Sequence, residues 1–195
     1  ADIIIHSATK FISGNATSLS GVICAKKEFI DHVRHIGYRN IGPSISPFNA
    51  WLCLLGLDSL SLRMKKHSDN AMAVAKFLQK HPKIESVSYP GLESHPQHKV
   101  AKKTMSGYSS MLSFNVAGGL EGARTAIDNL SIAVHTTHLG SSQTVAIQPA
   151  ATTHWQLGAE ERAKAGVPDN LIRYSAGIED PQDLIEDLDG ALKKA

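Results

Sequence analysis

Four residues near the start of the chain, Ser7-Ala8-Thr9-Lys10, follow an apolar, β-branched run, Ile3-Ile4-Ile5-His6. A lysine amine attacks a carbonyl only when it is unprotonated, and burial behind an apolar strand lowers its pKa by desolvation. Ser7 and Thr9 are two residues apart, and alternate residues of an extended segment point the same way. The set could therefore form an imine at Lys10 beside a phosphate dianion held by two hydroxyls. The same residues also read as a strand-end lysine reaching water, with the hydroxyls satisfying turn backbone, and on spacing alone that plainer reading is favoured. Taken alone, Arg173 reads as a surface ion pair, and Thr153 as a turn hydroxyl. The ten histidines are scattered and form no ligand-spaced pair on one helix face, so no metal site is expected.

The elements that must carry these residues follow from periodicity. Residues 3–6 read as a buried strand and 21–24 as a second, followed by a helix near 26–37. Ser46 as N-cap with Pro47 in the first turn starts a helix. Its apolar spacing continues from Trp51 to Leu78, which predicts one long helix, kinked near Gly56 and bridging two domains. Beyond it come a strand over 84–89, a helix over 96–104, an alternating strand over 111–116 and a helix over 120–130. Short strands are expected at 131–136, 143–147 and 171–175. Asp180, Pro181 and the stripe Leu184, Ile185, Leu188 and Leu192 define the closing helix, whose acidic start and Lys193-Lys194 end suit the helix dipole. The pattern is α/β, with a smaller α+β domain beginning in the long helix.

Composition sets the outer bounds. The chain has 195 residues, 42% of them hydrophobic, and a formal charge of +2. No basic stripe with interleaved aromatics supports nucleic-acid binding, and no apolar run is long enough for a membrane span. The two cysteines, Cys24 and Cys53, read as buried reduced thiols of a cytoplasmic protein. An opening directly on a core strand suggests a fragment, or a chain whose other half lies elsewhere.

The stretch His6-Ser7-Ala8-Thr9-Lys10-Phe11-Ile12-Ser13-Gly14 resembles the cofactor-lysine segment of the Cys/Met-metabolism pyridoxal-5′-phosphate (PLP) enzymes. That family includes cystathionine γ-synthase, cystathionine lyases, methionine γ-lyase and O-acetylhomoserine sulfhydrylase. Ser46-Pro47-Phe48-Asn49-Ala50-Trp51, Gly56-Leu57-Asp58-Ser59-Leu60 and Leu62-Arg63-Met64 are similar to its linking helix. Tyr89-Pro90-Gly91-Leu92 and Ser94-His95-Pro96 resemble its small domain. Pro149-Ala150-Ala151-Thr152-Thr153-His154 and Ile172-Arg173-Tyr174-Ser175-Ala176-Gly177-Ile178-Glu179-Asp180 resemble its last two signatures. The blocks stand in family order across nearly the whole chain.

The resemblance implies a fold-type I PLP-dependent transferase: residues 1–48 as the end of the large PLP-binding domain, and 49–195 as the linking helix and small C-terminal domain. It makes Lys10 the imine-forming lysine and proton shuttle, Ser7 and Thr9 phosphate ligands, and Arg173 the carboxylate-binding arginine, with Thr153 near that carboxylate. It places position 138 near the cofactor lysine, where His138 stands in place of the Ser or Asn of many members. Ser13-Gly14-Asn15-Ala16 likewise replaces a Gly-His-Gly-type run. The implied reaction is γ-replacement on an O-acylated homoserine by a sulfur nucleophile, with γ-elimination or a catalytically incompetent fragment as alternatives. The implied assembly is a homotetramer built from dimers. In the family the Asp that pairs the pyridine nitrogen, and the ring stacked on the cofactor, come from upstream of this lysine. These 195 residues alone are therefore expected to show little or no catalysis.

Overall fold

The computed structural model describes residues 1–195, which divide into two compact units, Ala1–Ser61 and Leu62–Ala195. The first opens with an antiparallel hairpin of β1 (Ile3–Ser7) and β2 (Gly21–Ala25), in register from Ile3↔Ala25 to Ser7↔Gly21. The expectation of a buried strand is corrected here: Ile3, Ile4 and Ile5 are 44%, 44% and 73% exposed. Within these 195 residues β1 adjoins β2 alone, and a two-stranded ribbon has no interior of its own. Cys24, on β2, is exposed for the same reason and Cys53 is half-buried, so neither is the buried thiol expected.

Helical backbone follows in α1 (Lys27–Val33), a π-helical turn at Arg34–Tyr38 and α2 (Arg39–Ile41). The π turn, which contains the weak helix former Gly37, interrupts the single helix expected over 26–37. Gly42 then ends the run at φ +75°, a left-handed position that glycine occupies at little cost. In α3 (Pro47–Asp58) the Ser46 hydroxyl accepts from the Asn49 N–H at 3.1 Å, the cap expected from Ser-Pro. The long helix is in fact two. The break falls at Ser59 (φ −106°, ψ 2°), where α4 (Leu60–Leu78) takes over, and not at Gly56.

The second unit adds β3 (Ile84–Ser88), α5 (His98–Thr104), β4 (Met111–Val116), α6 (Gly119–Asp128), β5 (Val134–His135), β6 (Val145–Ile147), α7 (Ala159–Lys164), β7 (Leu171–Ser175) and α8 (Pro181–Leu192). Its five strands lie in the order β3-β4-β7-β6-β5, antiparallel except for the β5–β6 pair. Alternation along β4 buries Leu112, Phe114 and Val116, and along β7 Ile172 and Tyr174; Leu112 pairs with Tyr174 and Phe114 with Ile172, so they share one sheet face. That face packs on Ala71, Val74, Ala75 and Leu78 of α4, Ala123 and Ile127 of α6, and Leu184, Leu188 and Leu192 of α8. Each large side chain buried this way contributes about 1.5–3 kcal/mol. The pleat turns Ser113 and Arg173, directly paired, toward the opposite face. The architecture is mixed α/β, and no helix is long and apolar enough to cross a membrane.

Candidate active site

In the first unit the extended backbone stops at Ser7. The Lys10 N–H donates to the Ser7 carbonyl at 3.2 Å, the Ser13 N–H to that of Ala8 at 2.9 Å and the Gly14 N–H to that of Lys10 at 2.9 Å, so Lys10 sits in a succession of tight turns. Ser7 is exposed, and Thr9 and Lys10 are half-buried. Ser7 and Thr9 are thus not two outward positions of one strand, as the alternation argument supposed. The Thr9 hydroxyl is committed to Ser20, donating to its carbonyl at 3.2 Å and accepting from its N–H at 2.9 Å. That pair ties the lysine turn to the start of β2.

The inner face of α3 supports the same turn. The Ser18 hydroxyl lies 3.4 Å from the Asn49 carbonyl and the Ser20 hydroxyl 3.0 Å from the Cys53 sulfur. Gly56 is buried against the turn itself: a Cβ there would collide with the Ile12 carbonyl oxygen and stand 2.7 Å from the Ser13 carbonyl oxygen and 2.9 Å from Ser13 Cα. The turn after Lys10 therefore lies on bare helix backbone, which only glycine permits.

In the second unit Arg173, half-buried on β7, donates through Nη2 to the carbonyls of Thr137 at 2.9 Å and His138 at 3.1 Å. Burial lowers its pKa from the usual guanidinium value. Residues 136–144 link the parallel strands β5 and β6 in fewer than the roughly dozen residues such a connection usually takes. The Gly140 N–H donates to the Ser175 hydroxyl at 3.2 Å, which also pairs with that of Ser110 at 3.0 Å. His138 is half-buried in this segment, and its backbone is what meets Arg173. Thr153 is exposed, its hydroxyl 2.9 Å from His154 Nδ1. A primary amine beside hydroxyls in one unit and an oriented guanidinium in the other can attack a carbonyl and grip a carboxylate, respectively.

The family described as Cys/Met metabolism PLP-dependent enzyme matches residues 1–193. The chain belongs to that family. It is 43% identical over 195 residues to the L-methionine gamma-lyase of Treponema denticola, covering 100% of the chain and 49% of that relative. It is 45% identical over 189 residues to the O-succinylhomoserine sulfhydrylase of Pseudomonas aeruginosa, 96% of the chain and 46% of the relative. A cystathionine gamma-lyase of Mus musculus is 42% identical over 195 residues, again 100% of the chain and 49% of the relative. The chain spans about half the length of these curated relatives.

Members of the Cys/Met metabolism family depend on pyridoxal phosphate, and the donor set beside Lys10 fits such a group in chemical type. A half-buried amine stands three residues after the exposed Ser7 hydroxyl. Thr9 fits as a ligand only by exchanging its bond to the Ser20 carbonyl for one to phosphate, and otherwise serves to hold the turn. Sequence reasoning did not single out Gly56 or Ser20 as supports of the lysine turn. Their contacts join residues far apart along the chain, which no local spacing encodes.

Proposed function

We propose that this chain forms the C-terminal part of a PLP-dependent enzyme that carries out γ-replacement on an O-acylated homoserine with a sulfur nucleophile. The family match, which runs through the Lys10 segment and the Arg173 block, carries the reading. Relatives named O-succinylhomoserine sulfhydrylase and homocysteine synthase support replacement chemistry. A second reading, γ-elimination, is favoured by the relatives named L-methionine and cystathionine gamma-lyase. We assign residues 1–48 to the end of a fold-type I PLP-binding domain and 49–195 to the linking helix and small domain, in a cytoplasmic homotetramer.

Lys10 would hold the cofactor covalently, with Ser7 and Thr9 on its phosphate. When bound, pyridoxal phosphate draws electron density away from the substrate's Cα. The amine of Lys10, released when the substrate's own amine replaces it on the cofactor, would take the proton from Cα and move protons at Cβ and Cγ. Arg173 would bind the substrate α-carboxylate through donors other than the Nη2 pair already resting on Thr137 and His138, with the Thr153 hydroxyl as a further donor. His138 occupies a position where its imidazole adjusts the choice of amino acid.

The test uses the full-length protein. Borohydride reduction of the cofactor-loaded enzyme, followed by peptide mapping, is expected to place a pyridoxyl group on Lys10. O-acetyl-L-homoserine with sulfide is expected to yield homocysteine. Release of 2-oxobutanoate as the main product would favour elimination, and a folded protein without a labelled Lys10 would refute both readings.

A further inference from the structure

We propose that Glu179 is a positioning residue for carboxylate binding, locking through Thr144 the 136–144 segment on which the Arg173 guanidinium rests. The inference rests on the role given to Arg173 above. Residues 173, 175 and 177 alternate along β7 and its continuation, and each holds one point of that segment. Arg173 Nη2 donates to the carbonyls of Thr137 and His138, the Ser175 hydroxyl accepts from the Gly140 N–H, and the Gly177 N–H donates to the Thr144 hydroxyl at 2.7 Å. The attachments run in the same order along both stretches.

The last attachment is closed by a carboxylate. Glu179 accepts from the Thr144 N–H through Oε1 at 2.6 Å and from the Thr144 hydroxyl through Oε2 at 2.8 Å. Gly177 makes this possible, because a Cβ there would collide with Glu179 Oε2 and the Ser142 carbonyl oxygen. From the other side α4 pins the same backbone. The His67 Nδ1–H donates to the Ala176 carbonyl at 2.7 Å, and the Asn70 side-chain amide donates to the carbonyls of Gly177 at 3.0 Å and Glu179 at 2.8 Å. His67, Asn70 and Thr144 are all 0% exposed.

Buried polar groups of this kind add little stability over well-packed apolar ones, and they fix one geometry. The geometry fixed here is that of the carbonyls that aim the guanidinium fork. A fork held by two carbonyls at a set angle presents its remaining N–H groups in one direction, and loss of that direction weakens carboxylate binding without altering proton transfer.

Thr144→Val keeps the shape and removes both hydroxyl bonds, Thr144→Ser restores them, and Glu179→Gln removes only the acceptor facing the hydroxyl. In the cofactor-loaded, full-length protein, Thr144→Val is expected to raise KM for O-acetyl-L-homoserine about tenfold, with kcat within about threefold of the parent. The L-alanine concentration that half-saturates the shift of the cofactor's visible band should rise in parallel, and Thr144→Ser should return both toward the parent. In cofactor-free protein, amide exchange should quicken at Gly140 and Gly177 but not within α8. Parent-like KM and exchange in Thr144→Val, or a Thr144→Ser as impaired as Thr144→Val, would overturn the proposal. If Thr144→Val does not fold, Glu179→Gln must show the same split between KM and kcat, and its absence is equally fatal. If the parent itself neither labels at Lys10 nor turns over the amino acid, the functional reading fails; the exchange at Gly140 and Gly177 then decides the lock alone, unchanged rates refuting it.

Discussion

Replacing Gly56 with alanine sets two effects of opposite sign against each other. In an open helix the change stabilises by about 1 kcal/mol, because glycine is the weaker helix former. Here the new methyl would meet the Ile12 carbonyl oxygen, the Ser13 carbonyl oxygen and Ser13 Cα, all backbone atoms that no side-chain rotation can clear. Overpacking typically costs about 1–3 kcal/mol, and a backbone obstacle touched at three points lies at the upper end. Displacing the turn would also strain the bonds from the Ser13 N–H to Ala8 and from the Ser13 hydroxyl to Thr9, each worth about 1 kcal/mol. The net expectation is a loss of about 2–4 kcal/mol. In urea this lowers the unfolding midpoint by about 1–2 M, and the yield of borohydride-trapped cofactor on Lys10 should fall with it. An alanine variant as stable as the parent or more so, with unchanged labelling, would show that the turn does not depend on this contact.

The His67 pKa is lowered by burial and by Arg63, against the pull of the Ala176 carbonyl and of Glu179. The unfolded chain then takes up its proton near pH 6.5 while the folded chain resists, so stability is full above that value and is lost as pH falls toward the folded pKa. Urea midpoints should drop between pH 7.5 and 5.5, and His67→Gln should flatten that part of the profile; an unchanged slope in the variant would count against the assignment. The Asp187 carboxylate accepts from the N–H groups of Ser131, Ile132 and Ala133 at 2.6, 3.1 and 3.2 Å. Asp187→Ala should cost about 2 kcal/mol, read as a thermal midpoint lower by about 4–8 °C, whereas an unmoved midpoint would show that water replaces the carboxylate freely. The buried Tyr174 hydroxyl makes no hydrogen bond of ordinary length and angle, although Thr144 faces it, and burial raises its pKa well above the usual phenol range. Tyr174→Phe should therefore leave stability within about 0.5 kcal/mol or raise it by about 1; a loss beyond about 1.5 kcal/mol in urea titration would reveal a bond made by that hydroxyl.

Elements whose signals are local were legible before the fold was known. Asp180 caps α8 by accepting from the Gln182 N–H at 2.8 Å, and the alternation of Met111–Val116 is the burial pattern of β4. Where the reading strayed, the missing information was spatial. Three consecutive isoleucines say that a strand favours a cover, and within these 195 residues only β2 adjoins β1. Gly56 looks like a kink on paper because glycine weakens helices, yet its task is to let another backbone approach. Lys10 and Arg173 were found through blocks of residues rather than through any single spacing. The clamp of Glu179, Thr144, His67 and Asn70 went unnoticed, although two polar residues next to Ala71 and Val74 on the buried stripe of α4 were a visible signal.

The order β3-β4-β7-β6-β5 places the last strand in sequence at the centre of the sheet. Until residues 171–175 are available, β4 and β6 each lack a neighbour, and the rest of the sheet amounts to two separate ribbons with open edges. During synthesis on the ribosome this unit must therefore wait, partly assembled, for β7 and α8 to emerge before it can close cooperatively. A stalled or truncated product ending before β7 would present those edges to other chains, which makes it a natural substrate for chaperones and a candidate for aggregation.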